Sequence, residues 1–160
     1  MSRVWDLRAR LYDVCEGSDL RRGPAKAELF RHMRGRVLFL AVGTGLDIKH
    51  FPPGLDIVGI DISESMLRRA GPRVQLYPGN LLLLQMDAMH LTFADASFDT
   101  VATSCTMCSV PDAVGALREL YRVLRPGGSL LMFEHVRRRF ALAESGDFNA
   151  LRQPALGLVQ

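Results

Sequence analysis

Cysteine, tryptophan and long apolar runs are all scarce in this chain, and each scarcity excludes something. Three cysteines and one tryptophan occur in 160 residues. Three thiols are too few for a disulfide scaffold and suit a reducing compartment, so a cytoplasmic protein is expected. No window approaches the roughly 20 apolar residues of a membrane span. The run Leu81 to Leu84 is far shorter and reads as a core strand. The opening MSRVWDLRARLYDV has no apolar core of the kind that directs secretion. Neither sign of charge dominates. The formal balance is +3 and basic residues are scattered along helices, so no nucleic-acid partner is expected. There is no internal repeat and no low-complexity segment. What remains is length for about one domain and enough apolar residues, 48% of the total, to bury a core.

The rest is organised around Val37 to Asp61, VLFLAVGTGLDIKHFPPGLDIVGID. One apolar run stops at Gly43-Thr44-Gly45; a second, Ile57 to Ile60, ends in Asp61. Parallel strands covered on both faces read as such runs. Glycines at the first turn let a ligand approach the backbone closely. Asp61 stands at the mouth of the second strand, where open α/β sheets bind ligands. Its carboxylate can accept from both hydroxyls of a ribose, which predicts a nucleoside-cofactor site.

A third glycine is also lacking. The dinucleotide fingerprint G-x-G-x-x-G would need it at Ile48, and Phe51-Pro52-Pro53-Gly54 soon cuts short any helix there. That weakens a pyrophosphate clamp and counts against a nicotinamide-dependent oxidoreductase. It suits a cofactor without phosphate, such as S-adenosylmethionine. Asp87, after the mostly apolar Leu81 to Met86, can take an adenine amino group, and the backbone N–H of Ala88 can reach a ring nitrogen.

The phrases VGTGLDI, VGIDISESML, MDAMHLTFADASFDTV and LRELYRVLRPGGSLLMFEH follow in order from about Gly35 to His135. In them the chain resembles the class I S-adenosylmethionine-dependent methyltransferases, in the branch that includes the ubiquinone/menaquinone C-methyltransferases and small-molecule and thiol methyltransferases. The resemblance implies a three-layer, Rossmann-like, doubly wound parallel sheet in a single α/β domain over 1–160. Residues 1–34 would be N-terminal helices and lid, 35–135 the cofactor-binding core and 136–160 the tail. It implies S-adenosyl-L-methionine as cofactor, S-adenosyl-L-homocysteine as product and a small-molecule or lipid-like acceptor. Cofactor contacts are implied at Tyr12 (in a lid), Ala41, Gly43, Thr44, Gly45, Asp61, Ile62, Met66, Asp87, Ala88 and Ser104. No metal is implied.

Two departures stand out. The family carries an acidic residue where this chain has Phe39, and glycine where it has Ala41. Asp47, just past the glycines, is the residue that can replace the lost carboxylate. The complete family fold also adds a helix and an antiparallel hairpin after the fifth strand, and 136–160 holds no convincing pair of strands. A shortened sheet of order 3-2-1-4-5 is therefore expected. Its fifth strand, Leu130 to Phe133, would be an apolar edge, covered by the tail or by a second chain in a homodimer.

Local signals fill in the helices. Pro24 and Gly35 bracket a helix whose apolar face includes Leu29, Phe30 and Met33. Ser63 caps a helix over 64–70, with Gly71 as its stop. Asp112 caps another, with Val114, Leu117, Tyr121 and Leu124 on its apolar face. Asp99 is expected to be structural. Cys105 and Cys108 form C-x-x-C, but at a strand end rather than a helix start, and without a second ligand pair for zinc. They are expected to line the cleft. The segment lacks the Asn/Asp-Pro-Pro-aromatic motif of amino-methyltransferases acting on adenine or glutamine. His135, at the ligand end of the fifth strand, is the candidate general base, and Cys105 its companion beside the acceptor.

Overall fold

The two apolar runs around the glycine turn become neighbouring strands of one sheet. The computed structural model describes residues 22–134 and 158–159. Its strands are β1 (Arg36–Leu40), β2 (Asp56–Asp61), β3 (Asn80–Gln85), β4 (Phe98–Ser104), β5 (Leu124–Phe133) and β6 (Leu158–Val159). Its α-helices are α1 (Gly23–Phe30), α2 (Glu64–Val74) and α3 (Ala113–Val123). The strand order is β3-β2-β1-β4-β5-β6. The first five strands are parallel, in the expected order 3-2-1-4-5. β6 runs antiparallel along β5, with Leu130 opposite Val159 and Leu131 opposite Leu158. A two-residue strand of the tail thus takes the β5 edge, the first of the two covers expected for it.

Side-chain alternation along β1 divides the core. Val37 and Phe39 face one layer with Phe30, Met33, Phe51 and Tyr77. Leu38 and Leu40 face the other, with Phe98, Val101 and Leu120. Phe39 is 1% exposed. Its ring lies 5.5 Å from Phe30 edge to face and 4.7 Å from Phe51. A carboxylate there would be buried among aromatics, so Phe39 belongs to the core.

Gly35 precedes β1 at φ +61°, and a Cβ there would collide with the Asp99 carboxylate. Asp99 accepts the Arg36 N–H at 2.7 Å and pairs with Arg125. This is the structural role expected of it.

Both side-chain caps form. Ser63 Oγ accepts the Met66 N–H at 3.2 Å and Asp112 Oδ1 the Gly115 N–H at 2.9 Å. Three helix details differ from expectation. α1 ends at Phe30, before Gly35, although Leu29, Phe30 and Met33 are all buried. α2 runs past Gly71 and Pro72 to Val74. Met66, Ala70 and Val74 recur every four residues along its packed side. The proline deletes one N–H and does not stop that stripe.

α3 buries Ala116, Leu120 and Val123, while the expected Val114 and Tyr121 are 60% and 80% exposed and Leu124 opens β5. The helix is turned because Arg122 donates to the carbonyls of Leu91 and Phe93 and pairs with Asp95 and Glu119. The Arg122 hydrogen bond holds the Glu119 carboxyl below the usual range. Among the described residues, no helix is long and apolar enough to cross a membrane.

Candidate functional site

Strand order reverses between β1 and β4, and a crevice opens beyond their carboxyl ends, as doubly wound sheets dictate. It holds a cavity of about 300 Å³. Nine of the residues singled out from sequence line it: Ala41, Gly43, Asp61, Ile62, Met66, Asp87, Ala88, Ser104 and Cys105. Thr44 lines a smaller adjoining cavity. Gly45 lines neither. At φ +83° it packs against α2, where a Cβ would lie 2.8 Å from Ile48 Cδ1 and 3.2 Å from Ala70 Cβ. Tyr12 and His135 lie outside the described residues.

Asp61 is 8% exposed. Its Oδ2 accepts the Gly43 N–H and its Oδ1 the Ser63 N–H, each at 2.8 Å. One carboxylate therefore ties the glycine turn to the start of α2. An ionised carboxylate has about four acceptor positions, so it can hold both N–H groups and still accept from hydroxyls. On the far wall, Asp87 Oδ1 accepts the Met89 N–H at 2.9 Å, which fixes the turn that carries Ala88. Met66 and Ile62 face the cavity from the β2 side, and Met86, Met89, Val110 and Pro111 add apolar wall. Of these last four, Met86, Met89 and Pro111 were not anticipated; Val110 ends the segment expected at the heart of the site. Their nearness follows from the segments after β3 and β4 bordering one crevice across the ends of β2 and β1, which spacing alone does not reveal.

Cys105 borders both cavities at φ +52°. Burial pushes its thiol pKa up, with Lys26 and Arg22 pulling the other way. Its position makes Cys105 a wall of both cavities, and the upward shift disfavours its thiolate. Cys108, three residues on, is exposed. At pH 7, iodoacetamide is therefore expected to label Cys108 well ahead of Cys105. Labelling of Cys105 should rise only as the pH passes the ordinary thiol range. Peptide mass spectrometry reads both rates, and equal rates at pH 7 would contradict the assignment. Among the described residues, no group of three or more His, Cys, Asp or Glu side chains is placed to hold a metal.

Glu134 is the main residue that the sequence did not single out. Its carboxylate accepts from Thr103 Oγ1 at 2.7 Å, from the Thr106 N–H at 2.9 Å and from the Met107 N–H at 3.1 Å. It clamps the turn after β4. Its signal was present, a carboxylate at the ligand end of β5, but His135 beside it carried the more familiar chemistry.

The smaller cavity, about 40 Å³, shares Ala41, Gly43, Ser104 and Cys105 with the larger and adds Arg22, Lys26 and Asp47. Lys26 Nζ meets Asp47 Oδ1 at 2.7 Å, with side chains 11% and 13% exposed. Ser104 Oγ is buried and has no hydrogen-bond partner among the described residues.

Residues 38–132 match the family model described as a methyltransferase domain. A demethylmenaquinone methyltransferase of Thermus thermophilus is 37% identical over 134 residues, covering 81% of this chain and 60% of the relative. A phosphatidylethanolamine N-methyltransferase of Cereibacter sphaeroides is 39% identical over 107 residues, covering 65% of this chain and 52% of the relative. The chain thus spans between half and two thirds of the length of these curated relatives. Among solved structures, a SAM-dependent methyltransferase of Thermotoga maritima, described as a possible histamine N-methyltransferase, superposes with a TM-score of 0.64. It is 28% identical, with 80% of this chain and 60% of that one covered. The parallel sheet, the switch-point crevice and the matched core agree: this chain belongs to the methyltransferase-domain family.

Proposed function

We propose that this chain is an S-adenosylmethionine-dependent methyltransferase acting on a small-molecule or lipid-like acceptor. The observation that carries the reading is the buried Asp61 carboxylate, fixed by the Gly43 and Ser63 N–H groups at the mouth of β2. The residues present fit the cofactor implied by the family. Asp61 suits a ribose diol, Met66 and Ile62 suit the flat face of adenine, and Asp87 with the Ala88 N–H suits its polar edge. When bound, S-adenosylmethionine supplies a methyl group already activated on a sulfonium.

The chain's own residues then have mainly to hold, align and exclude water. Met86, Met89, Val110 and Pro111 give the cavity the apolar surface an acceptor needs. A lipid-like acceptor is supported by that surface and by relatives named for menaquinone and phospholipid substrates. His135 is proposed as the base where the acceptor must lose a proton.

A second reading, a weak or inactive cofactor-binding scaffold, is favoured by Phe39, which stands in the core where the family has a carboxylate. Calorimetric titration with S-adenosylmethionine and S-adenosylhomocysteine separates the outcomes. Micromolar binding, followed by S-adenosylhomocysteine release with quinol-like phenols or thiols, is expected. A folded chain that binds neither ligand would overturn the enzyme reading and leave the fold intact.

A further inference from the structure

We infer that the buried Lys26–Asp47 pair is the clamp for the α-amino-acid end of the cofactor, an inference that rests on the function proposed above. An amino-acid end is a zwitterion. Holding it takes an acceptor for the ammonium, a donor for the carboxylate, and both within a few ångströms.

Phe39 cannot supply the acceptor, because its ring is packed between Phe30 and Phe51. Asp47 can. It leads into the short 3₁₀ turn Ile48–His50, on the far side of the glycine turn. The carboxylate has thus moved eight positions along the chain, from strand to loop, and α1 has brought Lys26 to meet it. The side chains of this pair are almost nine-tenths buried. A buried ion pair adds little net stability, because desolvation offsets attraction. Its worth here lies in presenting one charge of each sign to a ligand with the opposite arrangement.

Three further features agree. The pair sits in a cavity of about 40 Å³, room for a small polar head and not for a ring system. That cavity adjoins the larger one through four shared residues, on the side away from Asp87. Ser104 Oγ, buried without a partner among the described residues, borders both cavities and is a donor in need of an acceptor.

The test compares two ligands that differ only at this end. S-adenosylhomocysteine carries the amino acid; methylthioadenosine keeps the adenine, ribose and sulfur without it. Calorimetry on the full chain is run for wild type, Asp47→Asn and Lys26→Met. Each variant is expected to lose about tenfold to a hundredfold in affinity for S-adenosylhomocysteine, the range for one charge-assisted hydrogen bond. Affinity for methylthioadenosine should stay within about twofold, which also shows that the variants are folded. Undiminished S-adenosylhomocysteine binding in both variants would overturn the clamp while leaving the cofactor reading standing. Equal losses for both ligands would make the pair structural and overturn it as well. A wild type that binds neither ligand removes the proposed function, and the clamp with it.

Discussion

Asp61→Ala is expected to lower affinity for S-adenosylmethionine at least a hundredfold and to reduce stability as well. Two effects act together. Two charge-assisted hydrogen bonds to a ribose are worth about 1.5–3 kcal/mol each, so their loss reaches two powers of ten or more. The Gly43 and Ser63 N–H groups also lose the buried acceptor they share. Leaving such donors unsatisfied costs about 1–3 kcal/mol apiece. Asp61→Asn is the sharper variant. Its amide keeps the shape, but its NH₂ must face one of two backbone N–H groups, donor against donor. It should therefore bind nearly as poorly as the alanine variant. Calorimetry gives the affinity and thermal unfolding the stability. An alanine variant binding within threefold of wild type would remove Asp61 from the site.

Glu134→Ala should have the next largest effect, and it should fall on stability first. The carboxylate accepts from Thr103, Thr106 and Met107, joining the end of β5 to the turn after β4. Removing it leaves two backbone N–H groups and a threonine hydroxyl without that acceptor, a loss of about 2–5 kcal/mol in all. Cys105 sits inside this turn in a left-handed conformation, with its N–H on the Phe133 carbonyl at 2.7 Å. Without Glu134 the turn can relax, and Ser104 and Cys105 then leave the cavity wall. A fall of at least tenfold in cofactor affinity should accompany the loss of stability. Glu134→Gln retains one acceptor oxygen and should lie between. Urea unfolding read beside calorimetry checks both effects, and a fully stable alanine variant would show that the turn holds itself.

Much of this was legible because it depends on neighbours in sequence. Ser63 and Asp112 cap their helices with their own next turns. Asp61 was visible because an apolar run delivered it to a strand end. What was not legible depends on partners far along the chain. The exposed and buried stripes of α3 share one helical period; Arg122, reaching back about thirty residues to Leu91 and Phe93, decides between them. Nothing near Lys26 in the sequence marks it for burial. It is buried because Asp47, 21 residues on, receives it. Glu134 reads as a strand terminus until the turn after β4 is brought against it.

Ala41 and Cys105, at φ +51° and +52°, close the ends of β1 and β4 in a backbone region that L-residues avoid. Each such residue costs about 1–2 kcal/mol in the folded state. Both border the larger and the smaller cavity. A lineage selected only for heat resistance would reach this rim early, since glycine at 41 relaxes the first strain without any clash. Position 105 offers no such relief, because glycine there would remove a side chain that walls both cavities. Thermal tolerance and molecular fit therefore compete at the second of these peptide units and not at the first.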